Sequence, residues 1–95
     1  MEYFENRMQE ILMYGDVSPT TLKKVLEVVN ETIYNYDYKF SIIEIADIVE
    51  IAALSFSNDY YKITPQRIKE AVTNAIEKFV CNPLYIVDEY ERKML

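Results

Sequence analysis

Ser41-Ile42-Ile43-Glu44-Ile45-Ala46-Asp47-Ile48-Val49-Glu50-Ile51-Ala52-Ala53-Leu54 decides the fold class. Ser41 and Glu44 stand three apart, so each side chain can accept from the other's backbone N–H, and this capping box marks a helix start. From Ile42 to Leu54 the apolar residues wrap most of a helical circumference. A helix apolar nearly all round is buried on several sides. The expectation is a largely buried central helix, with Glu44, Asp47 and Glu50 on whatever opening remains. Those three acids, and a length below the roughly 20 apolar residues of a bilayer span, exclude a membrane helix here.

Working outward, each of the three prolines follows a residue that caps helices: Ser18-Pro19, Thr64-Pro65 and Asn82-Pro83. Proline at the first helical position loses no hydrogen bond and has its φ already set. The only glycine, Gly15, falls where a first helix needs a left-handed residue after its last turn. These marks predict helices near 2 to 14, 19 to 35, 42 to 57, 65 to 81 and 83 to 94. Apolar stripes accompany them: Phe4, Met8, Ile11 and Leu12; Leu22, Val25, Leu26, Val29 and Ile33; Ile68, Val72, Ala75, Ile76 and Phe79. The last segment carries Ile86, Val87, Tyr90 and Met94, with Asp88 to Arg92 and Glu89 to Lys93 in the favourable i,i+4 order, although Leu84 to Val87 also suits a short strand. Short joins favour antiparallel neighbours. The predicted architecture is all-α, a compact bundle of four or five helices forming one domain over residues 1–95.

Ninety-five residues, 51% of them hydrophobic, suffice for one core. Sixteen acids against ten bases give a net charge of −6, a field that repels phosphate backbones and disfavours nucleic-acid binding. Acids in Met1-Glu2-Tyr3-Phe4-Glu5, where a secretory signal would carry bases, make the cytoplasm the expected location. The lone cysteine, Cys81, has no intrachain disulfide partner and reads as a small buried hydrophobe.

The inventory removes much chemistry. Without histidine, no Ser-His-Asp or Cys-His site can form within one chain, and one thiol cannot make a zinc site. One glycine excludes a P-loop and the dinucleotide fingerprint. Asp59 and Glu70 have EF-hand spacing, but Tyr61, Ile63 and Thr64 occupy positions that need oxygen ligands and glycine.

Carboxylates on helices are the remaining catalytic material. Glu27 and Glu31 lie one turn apart, as do Glu44 and Asp47, and two such pairs meeting across a bundle can hold magnesium. Glu44-Ile45-Ala46-Asp47 resembles the E-x-x-D motif of the all-α nucleoside triphosphate pyrophosphohydrolases of the MazG and phosphoribosyl-ATP type. Glu31 matches the last acid of that family's preceding E-x-x-E motif; Val28 stands where its first acid belongs, with Glu27 one residue earlier. The resemblance spans about residues 22 to 54 and implies a magnesium-dependent pyrophosphohydrolase with Glu31, Glu44 and Asp47 as metal ligands. Lys62-Ile63-Thr64-Pro65 followed by Arg67-Ile68-Lys69-Glu70-Ala71-Val72 looks similar to the last loop and helix of the histone fold, which needs a longer central helix than Ser41 to Asn58 allows.

In Tyr34-Asn35-Tyr36-Asp37-Tyr38-Lys39-Phe40 aromatics alternate with polar residues, and an extended chain would place them on one side. With Tyr60 and Tyr61 they belong to a set of nine tyrosines in a chain without tryptophan. Tyrosine combines a large apolar area with a polar tip, which suits a surface wet when free and dry when bound. Tyr34, Tyr36, Tyr38 and Phe40 are therefore the expected partner-binding residues. The favoured function is a non-enzymatic protein-interaction or regulatory module needing no cofactor, most simply a two-fold homodimer formed through these residues or through the apolar face of the last segment with Ile86, Val87 and Tyr90; the magnesium-dependent enzyme is the alternative.

Overall fold

The computed structural model describes residues 2–59 and 63–81, which form four helices and no strand. They are α1 (Glu2–Tyr14), α2 (Pro19–Tyr34), α3 (Ile42–Leu54) and α4 (Pro65–Cys81). The all-α class expected from the sequence is observed, with four helices among the described residues. The segment expected at 83 to 94, the Asn82-Pro83 start, Tyr60, Tyr61 and the Cys81 side chain lie outside them.

The helix starts use the expected caps. Thr21 donates its backbone N–H to Ser18 Oγ at 3.1 Å, and Arg67 donates likewise to Thr64 Oγ1 at 3.2 Å. At Ser41 both halves of the capping box are made: Glu44 N–H donates to Ser41 Oγ at 3.2 Å, and Ser41 N–H to Glu44 Oε1 at 3.1 Å. Each cap satisfies donors that a helix start leaves without an intrahelical acceptor.

Two ends differ from expectation. α3 stops at Leu54 rather than residue 57, because Phe56, Ser57 and Asp59 donate to carbonyls three residues back, at Ala53, Leu54 and Phe56. That tighter winding accompanies the burial of Phe56, 4% exposed, and ends at Asn58 in the left-handed region, φ 60°. At the end of α1 the left-handed residue is Asp16, φ 51°, and not Gly15. Gly15 is needed for space: a Cβ there would lie 2.6 Å from the Ile11 carbonyl oxygen and 2.8 Å from Leu54 Cδ2.

α3 packs against α1, α2 and α4, and α2 also packs against α4. Gly15 lies beside Leu54, and Phe4 shares a small cavity with Ile42 and Ile45, so α1 runs parallel to α3. Phe79 stacks near Phe40 while Arg67 covers Phe56, so α4 runs the opposite way. Asn30, near the end of α2, meets the start of α3, and α2 is antiparallel to it as well. At the other end Asn58 N–H donates to the Asp16 carbonyl at 3.2 Å, tying the α1–α2 join to the turn after α3.

The core is built from the predicted stripes of α2 and α4. Val25, Val29, Ile68, Val72 and Ile76 are at most 1% exposed, and each such side chain contributes roughly 1.5–3 kcal/mol by leaving water. On α1, Met8 and Ile11 are buried, but Leu12 faces out because α1 has a substantial partner on one side only among the described residues. On α3, Ala46, Ile48, Val49, Ala52 and Ala53 are fully buried, while Ile43 is 58% exposed and Ile42, Ile51 and Leu54 are also exposed. The apolar circumference of α3 exceeds what three neighbouring helices cover.

Candidate interaction site

The aromatic segment forms the connection between α2 and α3. Its period of two does not produce an extended chain. Tyr34 belongs to the last turn of α2; Asn35 caps that helix in a helical conformation, its side chain donating to the Glu31 carbonyl at 3.1 Å; Tyr36 N–H then donates to Ile33. The bends that follow bring both tyrosine rings against Phe40 rather than in line with it. Tyr36 meets Phe40 edge-on at 6.0 Å and Tyr38 does so at 4.8 Å. Both are geometries in which aromatic pairs attract beyond their shared area. Phe40 is half-buried on the core, 6.4 Å from Phe79.

The rings therefore divide in role. Phe40 anchors, Tyr36 and Tyr38 keep 41% of their surface open, and Tyr34 is 88% exposed. Together with Asn30 and Ile33 they line an open cleft of ≈ 350 Å³. Tyr38 is fixed from its polar end too, its hydroxyl donating to Glu44 Oε2 at 3.0 Å. The capping box of α3 thus also positions a surface ring. Charges on this rim are of both signs, with Asp37 and Lys39 on the connection itself.

The carboxylates occupy other roles. Glu44 holds the start of α3 and Tyr38. Asp47 accepts from Arg7 Nη2 at 2.8 Å, and Glu50 accepts from the same nitrogen, so α1 carries one counter-cation shared by two acids of α3. Glu27 and Glu31 are exposed on α2. Among the described residues no three carboxylates gather in a group that could hold a metal ion, and Glu31, Glu44 and Asp47 are not brought together as one.

The Arg7 network was not legible in local spacing. Arg7 Nη1 also donates to Tyr3 Oη at 2.7 Å, and its guanidinium lies 5.7 Å from the Tyr3 ring centroid. Its bonds to Glu50, and next to Asp47, push the guanidinium pKa further above its ordinary value. Beside it, between Glu10, Tyr14, Glu50 and Leu54, a cavity of ≈ 230 Å³ opens over Gly15. The one available sequence signal was that Arg7 is the only base of α1 while three acids stand on α3.

No protein-family model, curated protein or solved structure matches this chain. Among the described residues no helix is long and apolar enough to cross a membrane.

Proposed function

We propose that the protein is a non-enzymatic interaction module that pairs with a second copy of itself through the aromatic connection between α2 and α3, as a two-fold homodimer. The observation that carries this reading is the rim of three exposed tyrosines, in which Tyr36 and Tyr38 are seated on Phe40 and Tyr34 stands beside them on the last turn of α2. Rings already held by Phe40 and Glu44 lose little conformational freedom on binding, so more of their apolar contact is realised as affinity. Neighbouring Asp37 and Lys39 can meet their opposites across a two-fold axis, where one self-complementary patch is sufficient. The reading takes residues 1–95 as one domain arranged about α3, working in the reducing cytoplasm with Cys81 as a free thiol.

Sedimentation equilibrium over micromolar concentrations tests it. The expected outcome is a species of twice 11.3 kDa, dissociating at least about tenfold more readily when Tyr34→Ala and Tyr36→Ala are combined, a loss of about 1.4 kcal/mol. Monomer at every concentration, or a dimer indifferent to both substitutions, removes the aromatic connection as the interface.

A further inference from the structure

The outer face of the parallel α1–α3 pair differs from the aromatic rim in its electrostatics. Tyr3 and Tyr14 on α1 are 45% and 80% exposed, and beside them on α3 stand Ile43, Ile51 and Leu54. Of these, Tyr14 and Leu54 line the groove above Gly15, whose ≈ 230 Å³ accepts one large side chain. The two helices carry six acids, Glu2, Glu5, Glu10, Glu44, Asp47 and Glu50, against the single base Arg7. By contrast α2 balances two lysines with two glutamates, and α4 carries three bases and two acids. The helical negative charge is thus concentrated on α1 and α3, with Glu10 and Glu50 at the groove itself.

Arg7 is already engaged by Asp47 and Glu50. A second copy docking the same face would set five net negative charges against five, and like charges across a contact cost affinity. We propose that this face receives a basic amphipathic helix from a partner protein. Its apolar stripe would lie along Tyr3, Ile43, Ile51 and Leu54, one anchor side chain would enter the groove over Gly15, and flanking Lys or Arg would meet the acidic margins. Helix-in-groove recognition combines these elements: apolar anchors at i, i+3, i+4 and i+7, and charge setting partner choice. The groove over Gly15 shares no lining residue with the aromatic cleft, so self-association and docking are tested by different substitutions.

The probe is a synthetic helix of about 18 residues, five turns, with leucine along one face and lysine elsewhere, titrated into the full chain labelled for NMR. Two controls accompany it: a scrambled peptide of the same composition, and one with glutamate replacing lysine. The expected result is saturable binding at least tenfold tighter than either control, amide shifts confined to α1 and α3, and about tenfold weakening by Tyr14→Ala and by Ile51→Ser. Both substituted residues are exposed, so the fold survives. Binding should also weaken as salt shortens the screening length. Equal affinity for the scrambled peptide would overturn the proposal as mere charge attraction. Shifts centred on Tyr34, Tyr36 and Tyr38, or indifference to both substitutions, would overturn it as the wrong surface.

Discussion

Asn58 donates its backbone N–H to the carbonyl of Asp16, and both residues have positive φ, 60° and 51°. Two left-handed turns are thereby joined, one leaving α1 and one leaving α3. Ser57 Oγ makes a second bond across the same gap, to the Gly15 carbonyl. Asparagine and aspartate tolerate this backbone region better than other residues with a Cβ, and β-branched side chains tolerate it worst. Asn58→Val should therefore cost about 1–2 kcal/mol, read as a lower urea midpoint at unchanged slope, whereas Asn58→Gly should stay within about 0.5 kcal/mol of the parent.

Gly15→Ala should destabilise by about 1–3 kcal/mol, the usual range for overpacking. The added methyl meets a backbone oxygen, Ile11 O, as well as the side chain of Leu54. Trimming the side chain cannot relieve the clash with the backbone, so Leu54→Ala should not restore the stability of Gly15→Ala. Full rescue in urea melts would show that α1 shifts freely along α3.

Arg7→Ala should cost about 1 kcal/mol, a value kept low because Asp47 and Glu50 retain 40% of their side-chain exposure and water screens the pair. Arg7→Lys should recover only part of it, since a point ammonium lacks the planar fork. A stability role for Asp47 also predicts that incubation with nucleoside triphosphates and magnesium releases no pyrophosphate that Asp47→Asn abolishes.

Stability should be flat between about pH 6 and about pH 8. The chain has no histidine. Arg7 has its pKa raised in the fold, so its contribution is complete below the unfolded value and is lost only as pH climbs through the folded one, far to the alkaline side. Urea midpoints across the window provide the measurement; a slope would require a titrating group other than Arg7.

The helices were legible because their punctuation is local. Ser18-Pro19, Ser41 with Glu44, and Thr64-Pro65 announce starts within four residues, and the stripes of α2 and α4 point to the core that forms. What was not legible depends on which neighbour each helix acquires. Leu12 completes a stripe on paper but faces out on α1, and Ile43 and Ile51 are left uncovered on α3. Arg7 meets Asp47 and Glu50 across 40 and 43 residues, through a parallel pairing that no local spacing encodes. For the aromatic segment, alternation identified exposed rings, but the bends that seat Tyr36 and Tyr38 on Phe40 come from Phe40 turning inward toward Phe79.

The dependence of α1 on α3 also constrains the order of events as the chain emerges during synthesis. Among the described residues its substantial packing is on α3 alone, and its short length makes it a marginal helix in isolation. Although α1 is made before the other three, it can settle only after Leu54 and Asn58 have been added and the turn following α3 has closed on Asp16. Non-local closure of this kind slows folding, through an entropy cost that grows slowly with the length of the loop closed. Amide protons of α1 should exchange sooner than those of α2 and α4, marking it as the last segment to seat and the first to leave.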